Sequence, residues 1–309
     1  MVDRVGAGSA ASAVARRRRG WRQDLAAYLF LLPGLIHFIV FVLFAVLASL
    51  GLSFTRWDLL SAPSFVGLRN FADMLHDDLF WNALRVTLLY VALSLPAGVA
   101  LALALALAMN QRLWGISFFR ACYFIPVVSS MVAVAMVWRW IYQPDFGLLN
   151  YLLSLVGISG PDWLGDDHLV MLSLAILSIW KGLGFNMVLF LAGLQGIPRP
   201  LYEAAAIDGA GRWAQFRHIT WPLLTPTTFF VVVLGVIGSF QVFDQVVLMT
   251  GGGPADASRV YTFYLYVKAF QDHAMGYAAA LAWVLFAIIA VITAVQVRFL
   301  GNRVNYEVV

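Results

Sequence analysis

The residues that could do covalent chemistry are arranged in no pattern that performs it. Hydrolysis of a nucleoside triphosphate requires a Gly-x-x-x-x-Gly-Lys-Ser/Thr loop to cradle the phosphates. The two lysines, Lys181 and Lys268, follow no such loop, and the Gly251-Gly252-Gly253-Pro254 run lacks the lysine and reads as a turn. Histidines at 37, 76, 168, 218 and 273 form no pair at metal-ligand spacing, so no metal site is expected. Cys122 is the single cysteine, which excludes an intrachain disulfide and a thiolate cluster. No Ser, His and Asp set is marked as catalytic. The chemistry expected is recognition by polar groups set in apolar surroundings, where each is expensive and therefore a functional candidate.

Two apolar stretches carry such groups. In the fifth, a continuous helix places Ile237, Gln241, Asp244 and Leu248 on one face, with Gln245 one turn beyond Gln241. With Phe240 and Phe243 beside them, these groups suit a sugar, whose hydroxyls bond amides and carboxylates while its C–H faces stack on rings. The competing reading of Asp244 is a contact with interfacial water or another subunit. In the fourth stretch Lys181 and Asn186 stand five residues apart and share no face. Lys181 reads first as a structural hydrogen-bond or ion-pair donor and second as a solute contact. Arg139 is expected to snorkel to the interface.

The elements that must position these groups follow from composition. Of 309 residues 62% are hydrophobic and 12% charged, with mean hydropathy +0.83, whereas a soluble domain carries about 25% charged residues. An ordinary cytosolic enzyme is excluded, and so is extensive disorder, because 23 Phe, 11 Trp and 11 Tyr supply ample apolar surface. Six stretches, near 28–53, 84–109, 119–142, 169–194, 223–248 and 277–299, reach the roughly 20 apolar residues of a spanning helix. Trp21, Trp114 and Trp221 mark one interface, and Trp57, Trp81, Trp140 and Tyr142 the other. The Leu-Ala alternation at 101–108 has a strand's period, but both residue types are apolar helix formers. On a helix it aligns Gly98, Ala102 and Ala106 for close packing.

Basic residues set the orientation and account for the net charge of +4 better than nucleic acid does. Arg4, Arg16 to Arg19, Arg22, Arg112, Arg120, Arg199, Arg212, Arg217, Arg298 and Arg303 fall on one side, against Arg56, Arg69, Arg85, Arg259 and Lys268 on the other. Both termini are therefore expected in the cytoplasm. The expected organisation is a basic tail at 1–22, a six-span domain at 23–299 and a short cytoplasmic C-terminus at 300–309. The apolar run after Arg22 is too long for a signal-peptide core and reads as an uncleaved anchor.

The cytoplasmic connection at 195–222 is unlike a mere linker. Pro200 suits a first helical turn and Glu203 sits where the helix dipole favours an anion. Gly209 and Gly211 break that helix, and a second short one runs from about Arg212 to Ile219 before Pro222. A helix, Gly turn, helix unit with Tyr202, Trp213 and Phe216 reads as a docking knob.

This segment resembles the signature loop of ABC importer permeases: Glu-Ala-Ala, three residues, Gly, nine residues, Ile, one residue, Leu-Pro. Here the pattern is Glu203, Ala204, Ala205, Gly209, Ile219 and Pro222, with Trp221 in place of the usual Leu. Nearly the whole chain is similar to the sugar and glycerol-phosphate branch, specifically its first, maltose-permease-like subunit. Supporting stretches are Phe-Val-Gly-Leu-Arg-Asn-Phe (65–71), Phe-Trp-Asn-Ala-Leu (80–84), Trp-Arg-Trp-Ile-Tyr-Gln-Pro-Asp-Phe-Gly-Leu-Leu-Asn (138–150), Trp-Lys-Gly-Leu-Gly-Phe-Asn-Met (180–187) and Met-Thr-Gly-Gly-Gly-Pro (249–254). The resemblance implies an all-α, six-helix type I importer permease in the bacterial cytoplasmic membrane. It implies a homologous second permease, two ATPase copies that bind the ATP and Mg, and an extracytoplasmic solute-binding protein, with no cofactor in this chain. It further implies an ATPase-coupling loop of Glu203, Ala204, Ala205, Asp208, Gly209, Ile219 and Pro222. In that loop Glu203 would make the ionic contact, Ala204 and Ala205 the close-packing surface, and Gly209 the hinge. Lys181, Asn186, Phe240, Gln241, Asp244 and Gln245 stand as the candidate pathway for a sugar. Outer-loop carboxylates (Asp73, Asp77, Asp78, Asp162, Asp166, Asp167) read as solvated, with docking of the binding protein as the second reading. A glycerol-phosphate cargo is the alternative within the family, and an ion-coupled carrier the alternative outside it. The carrier fits poorly with few buried charges and leaves the docking loop unexplained.

Overall fold

A computed structural model describes residues 21–111 and 114–300, with side chains described from Tyr28 to Phe299. The expected basic tail lies almost wholly outside the described residues, as do Arg112 and residues 301–309. Two units are distinguished, the first ending at Gly51 and the second beginning at Leu52. The first unit is one apolar helical run: α1 (Trp21–His37), a wide turn at Phe38–Leu43, and the start of α2 (Phe44–Ser53). Tyr28–Ser53 carries no Asp, Glu, Lys or Arg and is long and apolar enough to cross a membrane, so the helix is apolar on every side and suited to lipid.

The second unit opens with a short hairpin, β1 (Thr55–Arg56) paired antiparallel to β2 (Ser64–Phe65), and α3 (Arg69–Leu75). The long α4 (Asp78–Met109) starts where the Asp77 carboxylate accepts the Leu79 N–H at 3.0 Å. The Leu-Ala run is helical throughout, and Gly98, Ala102 and Ala106 are buried as a four-residue stripe. Ala102 and Ala106 pack with Met187, Phe190, Leu191 and Leu194 of α8 (Val170–Gln195). Between these helices come α5 (Ile116–Val128), α6 (Met131–Ile141) and α7 (Leu148–Leu155). After α8 follow α9 (Arg199–Ile207), then α10 (Arg212–Gln215) continuing through a wide turn at Phe216–Thr220 into α11 (Trp221–Leu223). The chain closes with α12 (Thr225–Phe240), α13 (Asp244–Met249), α14 (Tyr261–Tyr266) and α15 (Met275–Leu300).

Among the described residues four helices are individually long and apolar enough to span. The count reaches six when α5 with α6, bent by 100°, and Arg212–Leu223 with α12, bent by 62°, are each taken as one span. The third and fifth stretches thus differ from the unbroken helices read from hydropathy. The third breaks at Ser129 and Ser130, whose extended ψ of 145° and 133° interrupt the ladder just after Pro126. The fifth ends at Phe240, and residues 241–243 are not helical.

Both breaks have partners elsewhere in the chain. Lys181 of α8 donates to the carbonyl oxygens of Pro126 at 3.0 Å and Ser129 at 2.8 Å. One turn along, Gly184 lets α5 approach, since a Cβ there would overlap the Tyr123 carbonyl oxygen. The Trp-Lys-Gly-Leu-Gly stretch therefore holds the bent span in place. At the second break the Thr262 hydroxyl donates to the Val242 carbonyl. Irregular backbone at membrane depth survives only where such partners or a cavity satisfy it.

Candidate functional site

The two breaks and the middle of α8 enclose a cavity of about 370 Å³, lined by Tyr90, Met131, Ser178, Lys181, Gly182, Gly238 and the run Gln241 to Gln245. Its floor is a polar triad, buried at Tyr90 and Gln245 and half-buried at Ser178. Tyr90 donates to Ser178 Oγ at 2.6 Å, and Gln245 Nε2 lies 3.0 Å from the Tyr90 hydroxyl and 2.9 Å from Ser178 Oγ. Ser178 in turn donates to the Leu174 carbonyl at 2.9 Å. This network joins α4, α8 and α13 across more than 150 residues of sequence, with Gln245 155 residues from Tyr90. Its polar atoms largely satisfy one another, so it fixes the wall rather than offering free donors.

The groups facing the open cavity are different. Gln241 and Asp244 are exposed and Phe243 half-buried. Asp244 makes no ion pair among the described residues, whereas Lys181 spends two of its N–H bonds on backbone carbonyls. The cavity therefore presents an amide, a carboxylate and an aromatic ring to a solute, with its one ammonium already engaged.

Of the six residues read as a pathway, Lys181, Gln241, Asp244 and Gln245 line the cavity. Phe240 does not: it is fully buried among Met74, Phe80, Val236, Tyr261 and Leu281. The aromatic residues on the wall are Phe243 and Tyr90. Phe240 still belongs to α12 and shares the buried face of Val236, four residues earlier, whereas the break that follows it redirects Phe243 to the cavity. The expected shared face of Ile237, Gln241, Asp244 and Leu248 does not exist on one helix, although Gln241 and Asp244 still meet at the cavity. Asn186 lies further along α8 and is not part of the wall. Tyr90 and Ser178 were not legible as site residues, since only the fold brings them to Gln245.

The helical hairpin at the Met109 end of the unit is built locally. Pro198, with ψ 129°, precedes α9, and Pro200 occupies its first turn. Gly209 closes it at φ +80°, the left-handed region that favours glycine, while the Ala210 N–H bonds the Ala205 carbonyl at 2.8 Å. Tyr202 Oη and Thr220 Oγ1, 2.9 Å apart, tie the two arms, and Gln215 Nε2 donates to the Ala210 carbonyl at 3.0 Å. The tip is exposed: Glu203, Ala204, Asp208 and Gly209 face solvent, Ile207 is 87% accessible and Trp213 70%. Ile219 packs inward against the buried cluster that holds Leu194, Ile197 and Leu224, and the Pro222 carbonyl accepts from Thr225 Oγ1 at 2.6 Å. These two anchor the hairpin, and the exposed acidic and apolar tip is what another protein could grip.

On the opposite end, Asp77 accepts hydrogen bonds from the hydroxyls of Tyr264 and Tyr277. Burial pushes its carboxyl pKa up, but those hydroxyls and the backbone N–H groups of Leu79 and Phe80 outweigh it and hold the group below the usual carboxylate value.

Residues 94–306 match the family described as "Binding-protein-dependent transport system inner membrane component". The chain is 34% identical over 296 residues to the arabinooligosaccharides transport system permease protein AraP of Bacillus subtilis, covering 93% of this chain and 94% of the relative. It is 36% identical over 281 residues to the sn-glycerol-3-phosphate transport system permease protein UgpA of Agrobacterium fabrum, covering 90% and 96%. In three dimensions it is similar, with TM-score 0.82 and 25% identity, to a chain of a bacterial alginate ABC transporter solved in complex with an alginate pentasaccharide-bound periplasmic protein. That match covers 94% of this chain and 100% of the solved one.

Proposed function

The chain belongs to the family of binding-protein-dependent transport-system inner-membrane components, a multi-pass permease subunit of an ABC importer, and from that premise we propose that its cargo is a neutral saccharide. The single observation that carries the cargo is the cavity at the two broken spans. Gln241 and Asp244 supply an amide and a carboxylate for hydroxyls, and Phe243 supplies a ring for a C–H face. A phosphorylated cargo would call for free cations, preferably a bidentate arginine. The cavity has none, and its lysine is committed to two carbonyls.

The same reading gives the division of labour. ATP and Mg are bound by separate ATPase subunits, and this chain performs no hydrolysis. A solute-loaded binding protein docks on the outer loops and a homologous second permease completes the pathway. Closure of the ATPase pair pushes on the hairpin tip, where Glu203 makes the ionic contact, Ala204 and Ala205 admit close approach, Asp208 and Gly209 form the turn, and Ile219 and Pro222 anchor the base. Because Tyr202 is bonded to Thr220, and the second arm continues into α12, force on the tip is delivered to the broken fifth span.

The test is uptake by the reconstituted full complex. Gln241→Ala and Asp244→Ala should each weaken saccharide uptake while ATP hydrolysis stays responsive to the binding protein. Unaltered dependence on solute concentration in both variants would remove this cavity from the pathway.

A further inference from the structure

A second cavity, about 510 Å³, lies at the Met109 end of the unit, between the end of α4, the start of α5, the end of α8 and the first turn of α9. Among the described residues its charged lining is cationic: Arg120 and Arg199, with the amides of Asn110, Gln111 and Gln195 and no carboxylate. Arg120 donates from Nη2 to the Met109 carbonyl at 2.6 Å, closing the end of α4. Its Nε is buried and has no acceptor. Glu203, one helical turn from Arg199, forms no ion pair with it among the described residues. The Arg120 Nε is sealed from water inside the protein, so what Arg120 offers the cavity is the rest of its guanidinium.

Volume and depth indicate the kind of occupant. At about 30 Å³ per water the cavity has room for roughly 17 waters, more than a bridging solvent needs and enough for a phosphate with an organic substituent. It opens at the ends of two apolar spans, Asp78–Met109 and Val170–Gln195, which is headgroup depth. Basic pockets between spanning helices at that level suit anionic headgroups, and two guanidiniums with amides suit phosphate oxygens.

We propose that this cavity binds a phosphate ester, either the headgroup of an anionic phospholipid or a free phosphorylated solute. The bound phosphate would bridge the Arg120 guanidinium to Arg199 at the first residue of α9. It would thereby tie the hairpin to the ends of α4 and α8, and make its stiffness depend on occupancy. This inference concerns a site separate from the solute cavity and stands whatever the cargo is.

The test uses the assembled complex in nanodiscs of phosphatidylcholine, with two additions made separately: phosphatidylglycerol in the disc, or sn-glycerol-3-phosphate in the buffer. The readout is the thermal unfolding midpoint. One addition should raise it, and which one does so identifies the source. In Arg199→Gln the half-saturating amount should rise about tenfold, the loss expected for one charge-assisted hydrogen bond. Arg120→Lys, which keeps a cation to close α4 but removes the planar fork of donors, should weaken it similarly. Arg298→Gln, which removes an arginine outside the cavity, should leave the shift intact. Absence of an Arg199-dependent shift in both arms overturns the proposal, as it would if a partner subunit's carboxylate filled the cavity. A shift that Arg298→Gln abolishes equally is general surface attraction and overturns it too.

Discussion

Replacing Lys181 by methionine keeps the stem and removes the ammonium that bonds Pro126 and Ser129 at 3.0 and 2.8 Å. A charge-assisted hydrogen bond contributes about 1.5–3 kcal/mol, and a buried acceptor left unpaired costs about 1–3 kcal/mol. Lys181 is only half-buried, so water reaches part of the site and the pair together is worth about 2–3 kcal/mol, the low end of those ranges. At about 1.4 kcal/mol per decade, the population in which the α5–α6 bend is disordered rises roughly 30- to 140-fold. For a domain of this size the unfolding midpoint should fall by about 5 °C. The assay pairs thermal unfolding of the purified complex with KM and Vmax of uptake in proteoliposomes. A lysine that clamps a break should lower the midpoint and Vmax while KM stays within about twofold, the range of an interaction not made to solute. Lys181→Arg, which retains the donors, should recover most of both. A Lys181→Met variant with an unchanged midpoint and a KM raised tenfold would refute the reasoning, because that pattern belongs to an amine that holds the solute.

Glu203→Ala should leave the protein inserted and assembled but reduce uptake per ATP hydrolysed; a normal ratio would remove the acidic contact from coupling. Gly209→Pro should do the same more severely, because proline requires a φ near −65° and Gly209 stands at +80°; Gly209→Ala, with open space around its Cβ, costs only about 1 kcal/mol. Gly184→Ala would drive a methyl into the Tyr123 backbone and should lower the yield of folded complex, by about 3 kcal/mol or more of stability; wild-type melting would show that α5 can retreat. Asp77 has a folded-state pKa below its unfolded value of 3.8. Its contribution is complete above about that pH and is lost as pH falls through the lower folded value. The midpoint of the wild type should drop more steeply below pH ~4 than that of Asp77→Asn, and parallel curves would sink the assignment.

Much of the molecule is determined by sequence alone because the governing forces are local or are set by solvent. Long apolar runs must be helices in lipid whatever they pack against, so the span positions follow from hydropathy. The hairpin at 195–222 follows from proline at a first turn and glycine at a left-handed cap, both properties of single residues. The Gly98, Ala102, Ala106 stripe follows from helical periodicity. The breaks are another matter. Nothing in Ser129-Ser130 or in Gln241 to Phe243 forces a stop, and hydropathy runs straight through both. Each persists because a distant group satisfies the freed carbonyls: Lys181 for Pro126 and Ser129, Thr262 for Val242. The turning of Phe243 to the cavity wall, and the meeting of Gln245 with Tyr90 and Ser178, follow the second break. Hydrogen-bond satisfaction in a medium without water is a sum over the whole fold, so where the helices bend, and therefore where a solute could sit, only the tertiary structure decided.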